Sequence, residues 1–199
     1  MPRAVSVAKE FVRLSFAGTE PDPLTNLRLQ KLLYYAQSWA LVVREGELFP
    51  ETLEAWRNGP VVPEVYRAFP QGFGAAPILD GAFADVPDLP ATEAEFVRRV
   101  WEAYKGHSAT QLAAMTHQEL PWQKAWGTRP SDGNGNDPIT ADDMEAYFAK
   151  VAMPAPLAEY EHTLRREEEQ ARELLATLPQ LDPAWLAGAT NAWSESSRR

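Results

Sequence analysis

Apolar residues between positions 27 and 41 recur at helical spacing. Leu29, Leu32, Leu33, Ala36 and Ala40 fall on one stripe, so this stretch predicts the helix around which the other elements pack. Gln30, Tyr34, Gln37 and Leu41 form a second column beside it. Amides and a phenol there can hydrogen-bond and still pack, which suits a helix touched on several sides. Lys31, Tyr35 and Ser38 point away from the stripe and are expected to face outward. Thr25 or Asn26 is placed to cap the start and Gly46 to end the helix.

The same periodicity predicts further helices over residues 5–16, 64–69, 92–105, 109–115 and 141–151. Pro63 suits a first helical turn, and Ser108 and Thr140 suit N-caps. Thr92 and Glu95 have the spacing of a capping box. Leu48-Phe49 and Glu54-Ala55-Trp56 are long enough only for tiny strands, and Asn58-Gly59-Pro60 is a turn signal. Residues 70–90 and 128–138, rich in Gly, Pro and Asp, read as loops. The expected fold class is therefore mainly α. A compact helical domain over residues 1–153 carries at most a tiny β-hairpin, and a charged helical C-terminal extension over 154–199 follows Met153-Pro154-Ala155-Pro156. Within that extension residues 157–178 form a helix whose thin apolar face is Leu157, Tyr160, Leu164, Leu174, Leu175 and Leu178.

Composition narrows the chemistry. The chain has no cysteine, which excludes disulfides, thiolate zinc sites and cysteine nucleophiles, and fits a cytoplasmic location. Its start lacks the apolar core of a signal peptide, and no run approaches the ~18 apolar residues of a membrane span. A net charge of −9 argues against nucleic acid as a partner and suits a basic protein surface.

No catalytic group emerges. His117-Gln118-Glu119-Leu120-Pro121 lacks the second histidine of a zincin helix, and His107 and His162 are the only other imidazoles. The run Asp132-Gly133-Asn134-Gly135-Asn136-Asp137 begins like a calcium loop, but Asp137 stands where the tight turn needs glycine. Ser108 beside His107 lacks the triangulation of a hydrolase triad, and nucleotide-binding glycine motifs are missing. The expectation is no enzyme, no metal and no cofactor. Trp39, Trp56, Trp101 and Trp122 lie beside apolar neighbours and read as core, with Thr116 and His117 shaping a helix end above Trp122 and Trp126.

Three ordered blocks carry a family resemblance. They are Leu29-Gln30-Lys31-Leu32-Leu33-Tyr34-Tyr35-Ala36-Gln37, then Leu48-Phe49 with Ala55-Trp56-Arg57-Asn58-Gly59-Pro60-Val61-Val62-Pro63-Glu64-Val65-Tyr66, then Thr116-His117-Gln118-Glu119-Leu120-Pro121-Trp122. Together they resemble the Panacea domain, the SocA-like antitoxin domain also seen in GepA-like prophage proteins. The resemblance spans about residues 4–152 and leaves the segment after Pro156 outside it. It implies a helical antitoxin of a bacterial type II toxin-antitoxin system that neutralises a cognate protein toxin by direct binding. The alternative it implies is an adaptor that delivers a toxin to a ClpXP-type protease. On this reading the partner-contact candidates are Lys31, Tyr34, Tyr35 and Ser38 on the central helix, and Arg57, Asn58, Gly59, Pro60 and Val61 at the turn. Gln30, Gln37, Trp56, Thr116, His117, Pro121 and Trp122 are the motif residues that shape the fold. No membrane partner is expected, nucleic acid is disfavoured, and self-association is left open.

Overall fold

The central helix, α2 (Asn26–Val43), is covered on every side, and this decides where the other elements lie. The computed structural model describes residues 1–69, 74, 76–130 and 133–177. Among them are eight helices and three short strands, a mainly α architecture. Thr25 caps α2 by accepting the Arg28 backbone N–H. Around α2 pack α1 (Ala4–Phe16), α4 (Ala91–Tyr104), α5 (Ala109–His117) and α7 (Ala141–Phe148).

That surround corrects the expected outward face. Lys31, Tyr35 and Ser38 are all buried, because α5, α7 and the strands cover the sides of α2 that the leucine stripe leaves open. A helix packed all round cannot be split into an apolar and a solvent face. Its polar residues work inward instead. The Gln30 amide donates to Asn26 Oδ1 at 2.9 Å, and its carbonyl accepts the Val62 N–H at 2.9 Å. Gln37 donates to the Phe49 carbonyl at 3.1 Å and accepts the N–H groups of Leu48 and Phe49 at 3.0 and 3.1 Å. Leu48-Phe49 is thus held without being a strand. Replacing Gln37 by leucine would orphan three buried backbone groups, and urea unfolding should show a loss of about 3 kcal/mol or more.

The strands β1 (Leu53–Trp56), β2 (Gly59–Val61) and β3 (Asp137–Ile139) form an antiparallel sheet in the order β2-β1-β3. The expected hairpin therefore gains a third strand from a segment that read as loop. Asp-Pro-Ile carries too little alternation to signal a strand, and its central Pro138 is tolerated because β3 lies at the sheet edge. After the hairpin come α3 (Pro63–Arg67), with proline in its first turn, and later α6 (Leu120–Trp126).

Two caps also differ from expectation. Arg44 closes α2, and Glu45, not Gly46, takes the positive φ of 55°. Helix α4 starts at Ala91 behind Pro90, two residues too early for Thr92 to be the cap. Thr92 Oγ1 instead donates to Glu93, and Glu95 binds Arg98 and Arg99. Ser108 and Gln111 do form a capping box on α5, which runs two residues beyond the expected end. Helix α7 stops at Phe148, short of Val151.

Two units are distinguished, Met1–Glu161 and His162–Arg199. Helix α8 (Ala155–Thr177) begins in the first, where Leu157 and Tyr160 are buried and the Tyr160 ring lies 5.7 Å from Phe96. In the second unit Leu174 and Leu175 of α8 are exposed. The predicted helix end at Leu178 lies outside the described residues. Trp39, Trp101 and Trp122 are buried, whereas Trp56 is only half-buried. No described helix is long and apolar enough to cross a membrane.

Candidate functional site

The β1–β2 hairpin turns over just two residues, Arg57 and Asn58, both exposed. Gly59, Pro60 and Val61 behind them are buried. Side chains from two other parts of the chain hold the turn in place. From α2, Lys31 Nζ donates to the Pro60 carbonyl at 2.8 Å. From α6, Trp122 Nε1 donates to the Trp56 carbonyl at 3.0 Å. The carbonyls at 56 and 60 are thereby tied down, while the side chains at 57 and 58 remain in solvent. His117, at the end of α5, packs against the Trp122 ring beside the turn, and its buried Nε2 meets no hydrogen-bond partner among the described residues.

Gly59 makes the close approach feasible. Its φ is +92°, in the range that side-chain-bearing residues avoid. A Cβ there would lie 2.6 Å from Thr116 Oγ1 and 2.9 Å from both Cε and Nζ of Lys31. Thr116 is itself buried and donates to the Ala113 carbonyl at 2.9 Å, which fixes its hydroxyl at the end of α5.

Burial sets the local charges. The Lys31 amine is held well below the usual lysine range because it is completely buried. The His117 imidazole is also lowered, first by burial and then by Lys31, with the nearby Arg57 backbone opposing both. His117 packs 4.3 Å from the Trp122 ring, which stacks on Trp126 at 5.1 Å. Pro121 is buried in the first turn of α6 and sets the direction of that helix.

Tyr34, Tyr35 and Ser38 belong to a different cluster. Tyr35 stacks on Tyr104 at 4.1 Å and donates to Glu119 Oε1 at 3.0 Å. The Tyr34 hydroxyl faces the same carboxyl without a well-formed hydrogen bond. Burial raises the Glu119 carboxyl to about 7, although the tyrosine hydroxyls pull it down. Glu119 Oε2, Tyr34 OH and Ser38 Oγ are buried and meet no hydrogen-bond partner among the described residues.

The sequence-predicted residues therefore divide three ways. Lys31, Trp56, Gly59, Pro60, Thr116, His117 and Trp122 converge behind the turn. Arg57 and Asn58 project from it. Gln30, Gln37, Tyr34, Tyr35 and Ser38 lie elsewhere along the buried α2. Sequence reasoning singled out neither Glu119 nor Tyr104 as a site residue. Glu119 precedes a Leu-Pro helix start, where a glutamate ordinarily faces water. Tyr104 reads simply as apolar surface on α4, yet it accepts the Trp39 Nε1–H at 2.8 Å. Among the described residues no group of three or more His, Asp or Glu is arranged to hold a metal.

The turn and its clamp are assembled from blocks that lie far apart in the chain, and all of them fall inside the span of a family match. Residues 29–123 match the family described as "Antitoxin SocA-like, Panacea domain". The chain is 36% identical over 111 residues to Antitoxin SocA of Caulobacter vibrioides (strain NA1000 / CB15N), covering 50% of this chain and 58% of that protein. It thus spans little more than half the length of this curated relative. No solved structure matches the chain. Residues 29–123 are a SocA-like Panacea domain.

Proposed function

We propose that this protein is the antitoxin of a bacterial type II toxin-antitoxin system and neutralises a cognate protein toxin by direct binding in the cytoplasm. The observation that carries this reading is the clamped turn. Two separated blocks spend a buried lysine and a tryptophan on the backbone of one short hairpin, while Arg57 and Asn58 at its tip face solvent. A preorganised turn loses little entropy when a partner docks, and arginine is among the residue types that dominate interface energies. The antitoxin name of the Caulobacter protein supports the class. The turn is taken as the partner-facing surface of a recognition domain over residues 1–153. Lys31, Gly59, Pro60 and Val61 support that surface from beneath, whereas Tyr34, Tyr35 and Ser38, buried in the cluster around Glu119, do not contact the partner in this reading.

The test is co-expression with the product of the adjacent gene. The neighbour should arrest growth alone, growth should return with this protein, and the two should co-purify. A harmless neighbour, or rescue without a complex, overturns the reading.

A second reading is favoured by α8, whose described part beyond Glu161 continues as a highly charged helix outside the family match. In it, residues 154–199 engage a ClpXP-type protease and the protein acts as a proteolytic adaptor. Toxin half-life separates the two. A neutraliser leaves it unchanged or longer, and an adaptor shortens it only when the protease is present.

A further inference from the structure

The hairpin carries Arg57, and α3 carries Arg67, two cations that no carboxylate neutralises among the described residues. With 28 acidic against 19 basic side chains, carboxylates are abundant in this protein. Every other described arginine of the first unit forms an ion pair. Arg57 and Arg67 have no carboxylate within salt-bridge distance among the described residues, and both are exposed. The residues before them, Trp56 and Tyr66, meet edge to face with ring centroids 4.8 Å apart, which brings the two segments together. The carboxylate closest along the strand, Glu54, already accepts the Trp56 Nε1–H at 2.7 Å, and Glu64 pairs with Arg3. Both aromatic residues are half-buried, so part of each reaches the surface.

We infer that this patch docks an acidic segment of the partner protein, with two carboxylates on Arg57 and Arg67 and an apolar side chain against the edge of the Trp56–Tyr66 pair. Guanidinium forks match carboxylates in a bidentate way, and aromatic-arginine surfaces concentrate binding energy. This deepens the proposed function and rests on the turn being the partner-facing surface. The partner is therefore acidic at this contact, although the net charge of the chain alone suggests a basic one. A nucleic acid is the weaker occupant: two cations on a chain of net charge −9 release too few counterions to hold it.

The experiment follows the Arg Nε–H and Trp Nε1–H signals of the full chain by NMR. Three probes are titrated: a short Glu/Asp/Leu peptide, its Lys/Arg/Leu counterpart, and single-stranded oligothymidine. The acidic peptide should move the signals of Arg57, Arg67 and Trp56, and R57E/R67E should weaken its binding by about tenfold or more with an unchanged melting curve. R57K/R67K, which keeps the charge but loses the fork, should fall between the two. Preference for the basic peptide or for oligothymidine overturns the inference, as does equal binding by R57E/R67E. The same charge-reversed variant is then co-expressed with the adjacent gene product. Rescue by R57E/R67E equal to wild type overturns this contact but leaves the antitoxin role standing. If the wild type itself fails to rescue, the antitoxin role falls while the peptide titration still decides the contact.

Discussion

Gly59→Ala should be among the most damaging single substitutions in the molecule, lowering unfolding free energy by about 2–4 kcal/mol. Two effects add. The φ of +92° disfavours any Cβ, and that Cβ would lie 2.6 Å from Thr116 Oγ1 and 2.9 Å from the end of Lys31. Neither neighbour yields easily. Thr116 is buried and bonded to the turn before it, and Lys31 is completely buried and bonded to Pro60. Relief would require Lys31 to leave the Pro60 carbonyl, which releases the hairpin from α2. Urea unfolding should therefore show the stability loss, and partner binding should fall beyond what the smaller folded fraction explains. A change below about 0.5 kcal/mol, the range of an ordinary surface substitution, would mean that the close approach at Gly59 has been misread.

The second large effect is a pH dependence centred on Glu119. Burial raises its folded-state carboxyl from the ordinary 4.5 to about 7. The unfolded chain then releases this proton first, so between pH 4.5 and 7 the folded state holds more protons than the unfolded one. Stability from this residue is complete below pH 4.5 and declines as pH rises through 7, by about 3 kcal/mol in all. Glu119→Gln removes the titration and keeps an acceptor for the Tyr35 hydroxyl. The variant should match wild type near pH 4.5 and exceed it by about 1–3 kcal/mol at pH 8, measured by urea unfolding across the range. His117 and Lys31 are bases whose lowered values act in the opposite sense. Both proteins contain them, so they cancel in the difference. A difference that does not change with pH would show that Glu119 is not held protonated.

Much of the fold could be read from periodicity, since the stripe from Leu29 to Ala40 marks α2 and the caps at Thr25, Ser108 and Thr140 act as their residue types suggest. The outward face assigned to Lys31, Tyr35 and Ser38 failed for a physical reason. Periodicity records where apolar residues lie, and a helix enclosed on every side also buries polar residues when partners exist for them. For Lys31 that partner is the Pro60 carbonyl, 29 positions away, and for Tyr35 it is Glu119, 84 positions away. Such pairings leave no local trace. The strand at Asp137–Ile139 was equally hidden, because its register pairs Leu53 with Ile139 and Ala55 with Asp137, far apart along the chain. The turn itself was visible in Asn58-Gly59-Pro60. What the sequence concealed is that a lysine from one block and a tryptophan from another both hold its backbone.

If the partner reads the clamped turn, hydrogen–deuterium exchange of the full chain with and without the co-encoded toxin will locate the contact directly. The account predicts slowed exchange in peptides covering residues 53–67 and 117–123 on complex formation. Protection confined to residues 162–199, with exchange at the hairpin unchanged, would contradict it.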